Sequence, residues 1–138
     1  AGHVLPALIK KFYLAKKKKL KTVEIWGSGK AKREFLNVED LSNAVLFLIG
    51  KKIKKDYINI GSGEQFSIKQ LAFMIKKITD YKGKIFFNKK YPDGVARRKV
   101  NSSSIKKLGW KPKIKLNNGL VKYLNYYIRE VLPTEFKK

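Results

Sequence analysis

The stretch that decides the fold is Tyr57-Ile58-Asn59-Ile60-Gly61-Ser62-Gly63-Glu64-Gln65-Phe66-Ser67. A short apolar, β-favouring run (Tyr57–Ile60) enters a glycine turn. Ser67, with Gln70 three residues on, then forms a capping-box pattern and opens a helix. Strand, glycine turn and helix follow each other as in a dinucleotide-binding fingerprint. The match fails in two places. Phe66 occupies the third glycine position, and no acidic residue ends a second strand at the expected distance, which falls near Gly83. The preferred reading is a tight strand-to-helix turn that needs a permissive backbone.

Working outward, the helix from Ser67 carries Ile68, Leu71, Ile75 and Ile78 as its buried stripe. Lys84–Phe87 reads as a strand, and the polar loop from Tyr91 to Lys99 contains Pro92-Asp93-Gly94. Ser102 or Ser103 can cap a short helix ending at Gly109. A last helix runs from about Asn117 to Leu132, closed by Pro133. Toward the start, residues 4–16 read as a helix with Val4, Leu8 and Phe12 on one face. The basic run Lys16 to Lys19 then lies at the negative end of the helix dipole. Thr22–Trp26 is a strand, Gly27-Ser28-Gly29 a turn, and Arg33–Val38 a second strand that could pair with the first. Glu39 and Asp40 open a helix with Leu41, Ala44, Val45 and Leu48 at helical spacing, stopped by Gly50. The order α, β, β, α, β, α, β, α, α is an α/β mixture with too few strands for a self-contained doubly wound sheet. Its apolar helix faces outnumber the sheet available to cover them, so part of their partner surface is expected elsewhere.

Composition narrows the function classes. The 138 residues suffice for one domain, residues 1–138, and the 43% hydrophobic content argues against disorder. Cysteine is absent and His3 is the one histidine, so a disulfide framework is excluded and a metal cluster is not expected. No apolar run approaches a bilayer span and no leader pattern opens the chain, so a cytoplasmic protein without membrane contact is expected. Residue 1 is Ala rather than Met, which leaves open a processed chain or a piece of a longer one. The net charge of +23 invites a phosphate-bearing or nucleic-acid partner. Yet 29 of the 33 basic residues are lysines spread over the surface rather than gathered into a stripe, so nucleic acid is disfavoured.

The four arginines are more informative: Arg33, Arg97, Arg98 and Arg129. Arg33 could make a surface ion pair near Glu34, or it could grip phosphate with its planar fork. Arg97 and Arg98 follow the Pro-Asp-Gly turn, in the kind of loop that often carries function. Trp26 is either core or a pocket wall offering an apolar face and one N–H. His3, with no base or nucleophile nearby in sequence, reads from the residues alone as solvated.

These residues also carry a family pattern. His3-Val4-Leu5-Pro6-Ala7-Leu8-Ile9, Trp26-Gly27-Ser28-Gly29, Arg33-Glu34-Phe35 and Asp40-Leu41 resemble the second half of the GDP-L-fucose synthase family. So do Ile58-Asn59-Ile60-Gly61-Ser62-Gly63, Pro92-Asp93-Gly94 and Leu108-Gly109-Trp110, and the resemblance runs from His3 to about Tyr127. Several of these pieces are shared by many extended short-chain dehydrogenases acting on nucleotide sugars. The His-Val-x-Pro-Ala-Leu opening and the Lys-x-Tyr-Pro-Asp-Gly loop are more specific. The resemblance implies an α/β fold, the C-terminal substrate-binding portion of an extended short-chain dehydrogenase of the NAD(P)-binding Rossmann superfamily, with the Rossmann core missing.

It also implies an activity: NADPH-dependent conversion of GDP-4-keto-6-deoxy-D-mannose to GDP-L-fucose by 3,5-epimerisation and then 4-reduction. His3 would be the proton donor of the epimerisation and a contact to the cofactor. Lys11, Trp26, Arg33 and Asp93 would bind substrate, with Arg98 as a further cation near the diphosphate. Lys11 stands for a usual arginine and Asn101 for a usual aspartate, which opens the choice of nucleotide sugar. The family's glycine-rich cofactor turn, cysteine acid/base and Tyr-x-x-x-Lys pair lie upstream. The chain alone is therefore expected to bind NADP weakly and to be inactive. It would be completed by an N-terminal Rossmann half, in a homodimeric full-length parent. The rivals are the substrate domain of another nucleotide-sugar epimerase or dehydratase, a basic nucleic-acid-binding module, and a non-catalytic domain that kept the fold.

Overall fold

The computed structural model describes residues 3–53 and 56–135. Helix α1 (Val4–Lys17) buries Leu8, Ile9, Phe12 and Ala15, one face of a 3.6-residue repeat. Its last turn carries Lys16 and Lys17, cations set against the negative helix end. Strand β1 (Thr22–Trp26) alternates, with Val23 and Ile25 inward. It pairs in parallel with β4 (Lys84–Asn88), Thr22 opposite Lys84 and Trp26 opposite Asn88. Between these strands the chain forms β2 (Lys32–Glu34), α2 (Val38–Leu48), β3 (Gln65–Ser67) and α3 (Ile68–Ile78).

Helix α3 is capped as its sequence predicts. The Ser67 hydroxyl accepts the Gln70 N–H at 3.1 Å, and the Gln70 side chain accepts the Ser67 N–H at 2.8 Å. Leu71, Ala72 and Ile75 of this helix meet α1, β1 and the C-terminal helix α5 (Leu116–Tyr126) in the main core, which contains Phe12, Leu120 and Tyr127. The rings of Phe12 and Tyr81 meet edge to face at 5.7 Å within it. A smaller cluster of Ala44, Ile105 and Trp110 joins α2 to the short α4 (Ser103–Lys107).

Four expectations need correction. Strand β2 is three residues long and pairs antiparallel with β3, not with β1. The Asn37 side chain ends the extended run early by accepting the Glu39 N–H at 2.8 Å as the cap of α2. Residues 57–60 form no strand, although their sequence suits one, because no neighbouring strand among the described residues supplies hydrogen bonds. Ser102 sits at the α4 cap without a side-chain bond; Asn101 instead accepts the Ser103 N–H at 3.2 Å. Pro133 lies inside a final turn, α6 (Leu132–Glu135), rather than after the helix. In a regular α-helix its ring would crowd the carbonyl four residues back, at Arg129, and Arg129 lies in a widened π-helical turn (Tyr127–Val131) that joins α5 to α6.

Helix α2 is half dressed. Asp40, 1% exposed, accepts the N–H groups of Lys113 (3.0 Å) and Ile114 (2.9 Å), fixing the chain ahead of α5. Val38, Leu41, Val45 and Ile49, spaced as one helix face, stay exposed. No helix among the described residues is long and apolar enough to cross a membrane.

Candidate functional site

A cavity of about 340 Å³ opens where the C-terminal ends of β1 and α1's outer face meet β2 and the loop after β4. Val4, Leu8 and Ile25 give it apolar walls, and Lys11, Trp26, Arg33 and Asp93 stand around it. Four of the six residues singled out in the sequence are thus brought together from four elements spread over 83 positions, 11 to 93.

The hydrogen bonds explain how they are held. Lys11 reaches from α1 so that its Nζ donates to the Glu24 carbonyl at 2.6 Å. Arg33 Nη1 donates to two carbonyls at 2.7 Å, that of Lys32 and that of Val95 across the loop. The ion pair with Glu34 that the sequence allowed is not made. Glu34 turns instead to the N–H groups of Gly63 (2.7 Å) and Val100 (3.0 Å). With Nη1 committed, the guanidinium of Arg33, which lines the cavity, has further N–H donors, and its planar fork suits phosphate.

Asp93 has its carboxylate on the Gly27-Ser28-Gly29 turn. It accepts the Ser28 N–H at 2.7 Å and the Ser28 hydroxyl as well. The Ser28 hydroxyl, then the Ser28 N–H and then neighbouring groups hold this carboxyl below the usual range. The Glu24 carboxylate is likewise engaged, by the Asn88 amide. Both carboxylates at the cavity are therefore occupied, while Lys11 and Arg33 leave positive charge facing it.

Gly29 shows why this turn has its composition. It adopts φ +76° and packs so closely on the Phe87 ring that an added Cβ would come within 2.6 Å of it. Trp26, 63% exposed, forms one cavity wall, and its indole is stacked on the Tyr91 ring with centroids 4.2 Å apart and planes inclined by 15°. Sequence reasoning passed over Ser28 and Tyr91 as site residues. Ser28 was visible only as part of a turn, and its partner lies 65 positions away.

The remaining two candidates stand at the margin. His3 is exposed at the cap position of α1, in extended conformation and without a side-chain cap bond, one residue before the cavity wall at Val4. Arg98 is exposed near the end of the loop and does not line the cavity. Its N–H donates to the Lys32 carbonyl at 3.3 Å and its carbonyl accepts from the Gln65 side chain at 3.0 Å, so its backbone seams the loop to β2 and β3.

A larger cavity, about 590 Å³, lies between residues 35–39 and α5, with walls that include Leu5, Phe35, Leu120 and Tyr123. Besides Lys115, its charged groups are Glu39 and Lys122, which pair at 2.8 Å. It has volume but not the converging Lys11 and Arg33 cations of the smaller cavity, so the smaller one is the better candidate for a charged ligand.

The second glycine turn does not fit the pyrophosphate of a dinucleotide. The Gly63 N–H that would face phosphate is taken by the Glu34 carboxylate, and that carboxylate also sits 2.4 Å from where a Cβ on Gly61 would be. A negative group already fills the place where an anion would have to sit.

The model of the NAD-dependent epimerase/dehydratase family matches residues 1–61. Probable GDP-L-fucose synthase 1 of Oryza sativa subsp. japonica is 42% identical over 134 residues, covering 97% of this chain and 41% of the rice protein. The GDP-L-fucose synthase of Sinorhizobium fredii is 40% identical, with coverages of 95% and 42%. Among solved structures, the GDP-mannoheptose C4 reductase of Campylobacter jejuni with NADP bound gives a TM-score of 0.79 at 36% identity, over 93% of this chain and 45% of that one. The chain spans about two fifths of the length of the curated relatives it matches. Its α/β arrangement is that of a portion of these extended short-chain dehydrogenase folds.

Proposed function

The chain is a part-length relative of the GDP-L-fucose synthases, and from that premise we propose that it is the C-terminal, substrate-holding portion of a GDP-sugar epimerase/reductase. The substrate is GDP-4-keto-6-deoxy-D-mannose and the product GDP-L-fucose. The observation that supports this most is the convergence of Lys11, Trp26, Arg33 and Asp93 on one cavity whose carboxylates are already occupied. A diphosphate needs cations and a fork, and Lys11 and Arg33 offer both. Asp93 holds the loop that carries the Val95 carbonyl to Arg33. Trp26 gives the ligand a flat apolar wall, and Arg98 adds positive charge outside the cavity.

His3 is the proton-transfer residue of this reading. A C4 ketone acidifies the C–H bonds at C3 and C5, so a base on one face and an acid on the other can invert each centre. An imidazole can serve because its ordinary pKa lies near neutrality. The opposing group, the NADP site and the reduction machinery belong to the rest of the parent protein. The unpartnered face of α2 (Val38, Leu41, Val45, Ile49) and the strand-competent run 57–60 are where that cofactor half would pack.

Titration with GDP tests the site. Arg33→Ala should weaken binding roughly tenfold or more, the scale of a lost charge-assisted contact. Equal affinity in the two proteins would remove Arg33 from the site and the reading with it.

A further inference from the structure

We propose that Tyr91 is a positioning residue: it holds the indole of Trp26 upright as a wall of the cavity. The rings are nearly parallel, 15° apart, with centroids at 4.2 Å. Trp26 lines the cavity and Tyr91 does not, so the phenol backs the indole from outside. Trp26 is the last residue of β1 and is 63% exposed. An indole at a strand end with that much open surface has several rotamers within reach. A stacked ring removes that freedom before ligand arrives, which favours binding because less ordering remains to be done.

Tyr91 is itself well placed for this. Its N–H donates to the Asn88 carbonyl at 3.3 Å, at the end of β4 and directly beside β1 in the parallel pair. Two residues on, Asp93 ties the same loop to the Ser28 turn, and Arg33 ties it again at Val95. Loop and strand end are thus joined by three contacts of different chemistry: a ring stack, a carboxylate latch and a guanidinium–carbonyl bond. Of the three, the stack alone bears on the indole of Trp26.

The inference deepens the nucleotide-sugar reading and rests on it for the identity of the ligand, but its first readout needs no ligand. Trp110 is 6% exposed, so acrylamide quenching of tryptophan fluorescence reports chiefly on Trp26. Tyr91→Ala should raise the quenching constant about twofold and weaken GDP binding by about two- to tenfold, the range of one aromatic pair. Tyr91→Phe keeps the ring and should restore both values, which loss of the phenol hydroxyl or general loosening would not explain. An unchanged quenching constant in Tyr91→Ala would overturn the proposal, as would increased quenching with unchanged GDP affinity. Should the wild-type chain fail to bind GDP, the nucleotide-sugar reading falls, while quenching still decides whether Tyr91 holds the indole.

Discussion

Gly27-Ser28-Gly29 and Gly61-Ser62-Gly63 are the same tripeptide, and each turn is gripped by one distant carboxylate. Their surroundings differ. The first turn sits at the cavity, and Asp93, which grips it, is itself on the loop that closes the site. The second turn lies beneath a seam between β2, β3 and residues 98–100, and Glu34 grips it by the Gly63 N–H while also taking the Val100 N–H. One carboxylate arranges a binding site; the other fastens backbone and excludes anions from a turn that resembles a phosphate cradle. Identical local sequence therefore says where the chain turns, and the residue that reaches it from afar decides what the turn is for.

That contrast can be broken by substitution. The largest effect is expected at Gly29, which combines φ +76° with the rigid Phe87 ring at 2.6 Å from an added Cβ. Gly29→Ala should destabilise by about 3 kcal/mol, adding backbone strain to overpacking. Gly63→Ala should cost only about 1 kcal/mol, because its φ is similar but its neighbour is the flexible end of Lys106. Chemical denaturation of both variants measures this, and equal losses would mean that the packing around the two turns does not differ as described.

The carboxylates sharpen the same contrast. Glu34→Ala should lower stability by about 1 to 2 kcal/mol, since the partly buried Gly63 N–H and the exposed Val100 N–H both lose their acceptor, and should change GDP affinity little. Asp93→Ala should do the reverse, weakening GDP about fivefold with a nearly unchanged melting temperature, because the residue is exposed and acts on the loop. If both variants changed both readouts alike, the division of labour would be wrong.

The smallest effect is with pH. The Asp93 carboxyl lies below its ordinary range because the charged form accepts from Ser28. A depressed carboxyl contributes fully above its unfolded pKa and loses that contribution as pH falls through the folded value. The latch should therefore persist at neutral pH and release only in acid, below the ordinary carboxyl range. Trp26 fluorescence, read through the neighbouring Tyr91 stack, should show a transition there that Asp93→Asn abolishes. A transition at the same pH in both proteins would assign it to another group.

Much of this was legible in the sequence where the cause is local. The helical face through Leu8 and Phe12, the Ser67–Gln70 capping box and the strand Thr22–Trp26 each depend on residues a few positions apart, and each appears as read. What could not be read depends on partners far along the chain. Strand β2 pairs with β3 rather than β1, and Arg33 meets the Val95 carbonyl rather than Glu34. Residues 57–60 have the composition of a strand, but strand formation needs a neighbour, and none stands beside them among the described residues. The site was legible through the resemblance, which picked out Lys11, Trp26, Arg33 and Asp93. The latch from Asp93 to Ser28 and the stack of Tyr91 on Trp26 were not, because neither follows from spacing.

The central claim is that the cavity between α1, β1, β2 and the loop at Asp93 receives the nucleotide diphosphate. Mapping backbone and indole N–H chemical shifts during a GDP titration tests it most directly. The account predicts the largest changes at Lys11, the Trp26 indole, Ser28, Arg33 and Val95, with Gly61–Gly63 nearly silent. Strongest changes at Gly61–Gly63, or small ones spread over the surface lysines, would contradict it.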